Sequence, residues 1–78
     1  MENFIMITRI AKNFKNERIV YVLVDDERVK KQHYTLNGDF KKEKIINVRE
    51  VHQNRRSHRN TKDFFDDMVY NYDYAYLD

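Results

Sequence analysis

From Phe4 to Gln53 apolar residues cluster and alternate on the scale of β-strands, and from Thr61 onward they recur with the period of an α-helix. Phe4 to Ala11 is rich in β-branched and large apolar residues, and Arg18 to Val24 holds the unbroken run Ile19-Val20-Tyr21-Val22-Leu23-Val24. Both stretches predict strands. Between them, Lys12 to Glu17 is mostly polar with two asparagines, which predicts a hairpin with a longer loop. A continuous apolar run marks a strand covered on both faces, so the second strand is expected at the centre, under a helix on one side and a second subunit on the other.

Asp25-Asp26-Glu27 predicts a turn, and Val29 to Leu36 a weaker strand with Tyr34 and Leu36 on one side. Asn37-Gly38 is the strongest local signal, because a type I′ turn needs positive φ at both central positions and these residues tolerate it. A fourth strand is expected between Phe40 and Gln53, where Ile46 and Val48 alternate with Asn47 and Arg49. Phe40 to Lys44 reads either as part of that strand or as an irregular crossing into it.

On a helix beginning at Thr61, Phe64, Phe65, Met68, Val69, Tyr72, Ala75 and Tyr76 share one face. Asp63, Asp66, Asp67, Tyr70, Asp73 and Tyr74 fall on the other. Asn60 or Thr61 suits the cap, and the early aspartates suit the positive end of the helix dipole. The expected fold is α+β: a small antiparallel sheet of three to five strands with one C-terminal amphipathic helix packed across it. Residues 1–78 are read as one domain, strand-rich over 4–53, with a basic connector over 52–60 and the helix over 61–76. The expected core is Ile5, Ile7, Val20, Val22, Val24, Leu36, Ile46, Val48, Phe65, Met68, Val69 and Tyr72.

Composition narrows the class. A chain of 78 residues has room for one small core and buries roughly 60% of its unfolded surface. With 41% hydrophobic and 36% charged residues it is expected to fold and to carry a heavily solvated surface. The absence of cysteine excludes disulfides and cysteine metal sites. No segment is long and apolar enough to span a bilayer, and Met1-Glu2-Asn3 followed by Phe4 to Ile7 lacks the basic start and longer apolar core of a signal peptide. A cytoplasmic protein without membrane partners is expected. Exposed sheet edges around a small core make a homodimer an expectation too. Abundant Lys, Asn, Ile and Tyr, with one glycine and no proline, is the usage of an AT-rich genome and fits a phage or mobile element.

Charge is unevenly spread. Up to Arg59 the chain has 14 Lys and Arg against 8 Asp and Glu, whereas after it Lys62 alone stands against five aspartates. Lys41, Lys42, Arg49, Arg55, Arg56 and Arg59 form a candidate nucleic-acid-binding set, since arginine forks and lysines grip phosphate. Asp63, Asp66, Asp67, Tyr70, Asp73 and Tyr74 form a candidate protein-binding set, because spaced carboxylates imitate phosphates and tyrosines anchor interfaces. The bland alternative is that the connector arginines pair with the helix aspartates.

His52, Asn54 and His58 are too closely spaced for a ββα metal site, and no second ligand cluster is visible, so no metal or other cofactor is expected. One glycine cannot build a phosphate loop, and no serine lies in a nucleophile context. The leading expectation is a non-enzymatic interaction protein, a phage or mobile-element regulator or inhibitor that occludes a host protein. Nucleic-acid binding through the basic 41–59 segment is the alternative. Metal-independent RNA cleavage by a toxin using Tyr21, Lys31, His33 and Tyr34 is the second alternative.

Overall fold

The computed structural model describes residues 6–51 and 57–77. Four strands follow one another as an antiparallel meander: β1 (Arg9–Phe14), β2 (Glu17–Leu23), β3 (Arg28–Thr35) and β4 (Phe40–Asn47). Helix α1 (Thr61–Tyr72) comes next, and a short strand β5 (Ala75–Tyr76) closes a five-stranded sheet of order β4-β3-β2-β1-β5. The α+β class and the antiparallel sheet under a C-terminal helix are as the hydrophobic pattern predicts, with β2 at the centre.

The turns differ from expectation in chemistry. The first hairpin closes on two residues, Lys15 and Asn16, with φ of 52° and 63°. Positive φ at both positions matches the right-handed twist of the flanking strands, so Lys12 to Phe14 continue β1 instead of forming a loop. Asn37-Gly38 is not a type I′ turn: of that pair only Gly38 has positive φ, at 95°. Gly38 N–H donates to the Thr35 carbonyl at 3.0 Å and Thr35 N–H to the Asp39 carbonyl at 2.8 Å, which makes Leu36-Asn37-Gly38 a three-residue loop. Leu36 therefore sits in the loop and is exposed, not in the core.

The helix begins on Asn60, whose side-chain oxygen accepts from Asp63 N–H at 2.9 Å. Thr61 N–H donates to the Asp26 carbonyl at 2.8 Å, which ties that end to the β2–β3 turn. At the other end Asp73 adopts the left-handed conformation, φ 61° and ψ 26°. Tyr74 N–H then returns to the Met68 carbonyl at 3.2 Å, and the chain reverses into β5 beside β1, with Ile10 opposite Tyr76 and Ala11 opposite Ala75. The helix expected to run to residue 76 thus stops four residues short, and its last turn becomes an edge strand.

The core lies between α1 and one sheet face. Ile10, Ile19, Tyr21 and Val29 from the sheet meet Phe64, Phe65 and Met68 from the helix, with Val48 and Tyr74 at its margins. Tyr21 is the hub: its ring lies 5.0 Å from Phe64, edge-on, and 5.4 Å from Tyr74. Ile7, Ile46 and Val69 pack against this cluster half-buried. Of the other expected core residues, Val20 is buried on the opposite face and Val22 is half-buried there, while Val24 and Tyr72 are exposed. Val24 lies past the end of β2, and Tyr72 is the final residue of the helix. Ile5 lies outside the described residues.

Tyr74 is 7% exposed and Tyr70 75% exposed. Tyr74→Ala is expected to cost on the order of 3 kcal/mol and Tyr70→Ala about 0.5 kcal/mol or less, read from urea unfolding. Equal effects would contradict the placement of Tyr74 in the core.

Candidate nucleic-acid interface

At the described end of the connector, residues 57–60, basic and acidic side chains pair. Arg59 Nε donates to Asp63 at 2.8 Å, Lys62 Nζ to Asp66 at 3.0 Å, and His58 Nε2 lies 2.8 Å from Asp67. Asn71 donates to the other oxygen of Asp67 at 2.6 Å. The guanidinium hydrogen-bonded to Asp63 holds that carboxyl below the usual range, and Arg59 is raised in return. Arg49 reaches Glu27 at 3.0 Å and Asp26 at 3.7 Å and donates to the Arg59 carbonyl at 2.9 Å. Here basic and acidic residues face one another. The pairs of Arg59 and Lys62 are solvent-exposed and contribute little to stability, whereas His58–Asp67 is largely buried, and all of them occupy the charges.

The two candidate sets are accordingly broken up. Within the basic set, Lys41 and Lys42 open β4, whereas Arg49 lies beyond its far end, roughly 20 Å away at about 3.3 Å per residue. Arg55 and Arg56 lie outside the described residues. Within the acidic set, Asp63, Asp66 and Asp67 are paired, Asp73 forms the C-cap, and Tyr74 is in the core rather than on the outward face. Tyr74 leaves that face because helical geometry ends at Tyr72.

A different basic surface is assembled by the sheet. Strand register places Lys31 directly opposite Lys44, and His33 directly opposite Lys42. Strand alternation puts all four on the helix-side face, because Tyr21 and Ile19 are the next partners in those two rows. Lys12 extends the second row, opposite Ile19. Like charges directly opposite each other destabilise a sheet, so the Lys31–Lys44 pair is not a packing requirement. Glu43, between Lys42 and Lys44, points to the other face, where it meets Gln32 at 3.2 Å and Lys30 at 3.8 Å.

Glu17 is the carboxylate on this surface. One of its oxygens lies 2.7 Å from His33 Nδ1, and the other accepts from Lys41. Lys41 reaches it because the β3–β4 register slips between His33 and Tyr34, leaving Lys41 as the extra residue of a bulge. Hydrogen bonds from Lys41 and then His33 lower the Glu17 pKa from its ordinary 4.5 to about 2. Beside it, opposite in the β1–β2 hairpin, stands Phe14.

Lys12 was not among the expected site residues, Lys31 was expected only in the RNA-cleavage set, and Lys44 only as part of the basic 41–59 segment. The alternation Lys42-Glu43-Lys44 carries the signal for Lys44, since a strand throws the two lysines to one face. Lys12 and Lys31 become readable only with the register. The four residues of the RNA-cleavage expectation do not converge: Tyr21 is in the core, and Tyr34 is on the opposite face, donating to Gln32 at 2.9 Å.

A larger recess of about 970 Å³ lies between Ile7, Leu23, Phe65 and Tyr76, but Asp25, Asp26 and Asp66 also line it, which suits a polyanion poorly. Among the described residues, no group of three or more His, Asp or Glu is placed to hold a metal ion, and no helix is long and apolar enough to cross a membrane. Comparison with protein-family models, with curated proteins and with solved structures finds no match to this chain.

Because Glu17 is more acidic in the folded chain than in the unfolded one, its contribution to stability is full above about 4.5 and is lost as pH falls toward 2. Glu17→Gln should therefore be less stable than wild type at neutral pH, with the gap closing across that window in urea titrations. A gap that ignores pH would contradict the assigned pairing.

Proposed function

We propose that the protein is a small, non-enzymatic binding module that grips the phosphate backbone of a nucleic acid on the lysine-bearing half of its helix-side sheet face. The observation that carries this reading is the like-charged cross-strand contact of Lys31 with Lys44, with Lys42 exposed in the next row of the same face. A bound polyanion relieves that repulsion, and lysines at strand spacing meet phosphates without reading sequence. Lys42 and Lys44 are the principal contacts, since both lie on the exposed edge strand. Lys41 is partly neutralised by Glu17. The mode of action is occlusion: a strand lying on this face is shielded from other proteins, which suits a regulator from a phage or mobile element.

The alternative reading, an inhibitor that lays its acidic helix on a host protein, is weakened by the pairing of Asp63, Asp66 and Asp67 within the chain. It keeps Tyr70 as an exposed aromatic anchor. Self-association through β4 is likewise disfavoured, because an antiparallel copy centred on Glu43 sets Lys42 against the partner's Lys44.

Fluorescence anisotropy with labelled oligonucleotides over a salt series tests the proposal. Lys42→Gln/Lys44→Gln should weaken binding and reduce the slope of log K against log salt by about 1.4 to 1.8, the loss of two phosphate contacts. Unchanged affinity and slope in a folded double variant would sink it.

A further inference from the structure

Phe14 is 52% exposed at the end of β1, outside the core cluster, and its side chain shares the helix-side face with Lys12 and Glu17. Two ammonium groups flank its ring: Lys15 Nζ at 5.2 Å and Lys12 Nζ at 6.0 Å from the centroid. Lys12 is itself held in place, donating to the Tyr72 carbonyl at 2.7 Å where the helix ends. A large apolar ring left half in water has no part in the fold described above. An aromatic face set among cations is, however, the arrangement on which an unpaired base stacks while its phosphates meet lysines.

The surroundings fit the same ligand. From Lys12 through Ile19 and His33 to Lys42, one row crosses four strands, about 14 Å at the usual strand spacing. Ile19 is buried in the core, so the backbone runs from the edge strand past His33 and Glu17 at the hairpin end of the sheet and brings a base to Phe14. Duplex bases are stacked against one another and offer no free face to such a ring, whereas single-stranded bases do. Of the exposed aromatics, Phe40 is the one on the same strand as Lys42 and Lys44. It lies on the opposite face from Lys42, however, with its ring edge-on to Tyr34 at 5.8 Å.

We infer that the ligand is single-stranded nucleic acid and that one base stacks on Phe14 while the flanking phosphates contact Lys12, Lys42 and Lys44. The inference rests on the backbone-binding reading above and adds the strandedness of the ligand and the aromatic contact. Single strands then bind better than duplexes of the same length at equal salt, with little preference among bases, because every base has a stacking face.

The experiment compares a labelled single-stranded oligonucleotide with its duplex, using wild type, Phe14→Ala, Phe14→Trp, Phe40→Ala and Lys42→Gln/Lys44→Gln, each verified as folded by circular dichroism. Phe14→Ala should weaken single-strand binding roughly 5- to 150-fold and leave duplex binding unchanged, and Phe14→Trp should restore it. Phe40→Ala should bind as wild type. If Phe14→Ala binds the single strand normally while the lysine double variant fails, stacking is refuted and the lysine surface stands. If Phe14→Ala weakens both probes equally, or Phe40→Ala reproduces its loss, the assignment to a base-stacking Phe14 is overturned. If wild type binds neither probe, the backbone reading falls as well.

Discussion

The Tyr21 ring is the fixed point of this fold. It stands on the central strand, and the two elements that follow the meander reach it separately, Phe64 from the first turn of the helix and Tyr74 from the segment after it. Aromatic edges and faces packed at such distances contribute beyond their buried area, by roughly 0.5–1.5 kcal/mol per pair. More important is the geometry they impose. With both ends of α1 referred to one ring, the helix covers Ile10, Ile19, Tyr21 and Val29 and leaves only the β4 ends of those rows, Lys42 and Lys44, exposed.

Charge follows from that placement. The connector and helix carry cations and carboxylates in adjoining positions, and each helix aspartate from Asp63 to Asp67 finds a partner within one turn or in the segment that leads into it. On the sheet the lysines are spaced by register rather than by sequence, and Glu17 can satisfy only Lys41 and His33. The connector charges are therefore paired internally, while Lys42 and Lys44 are exposed on the edge strand. A net charge of +2 conceals this division.

The parts of the fold that were legible are those set by local pattern: the apolar run of β2, the period change at Thr61, and the Asn60 cap. The Lys15-Asn16 turn was not, because lysine carries no preference for positive φ, and only pairing of the flanking strands forces it there. Strand β5 was hidden for a related reason. Tyr72, Ala75 and Tyr76 keep a helical spacing, and only the left-handed Asp73 and the open edge of β1 redirect them. The charge inversion at Arg59 could be seen in the sequence, but its self-pairing depends on how His58 and Arg59 approach the first turns of the helix. The lysine face was legible only in part, since the bulge at Lys41 sets which residues oppose Lys31 and His33.

Strand β5 joins the two most distant parts of the chain, Ile10 and Tyr76, through only two ladder positions. The four-stranded meander needs only neighbours in sequence, so its contacts form across short loops, whereas this closure spans nearly everything between. A short ladder with so long a loop is also the least costly piece to open. Each opening uncovers the outer edge of β1 and loosens Tyr74 from Tyr21. That opening lies at the edge of the sheet opposite β4, so it leaves the pairing of the lysine-bearing strands intact.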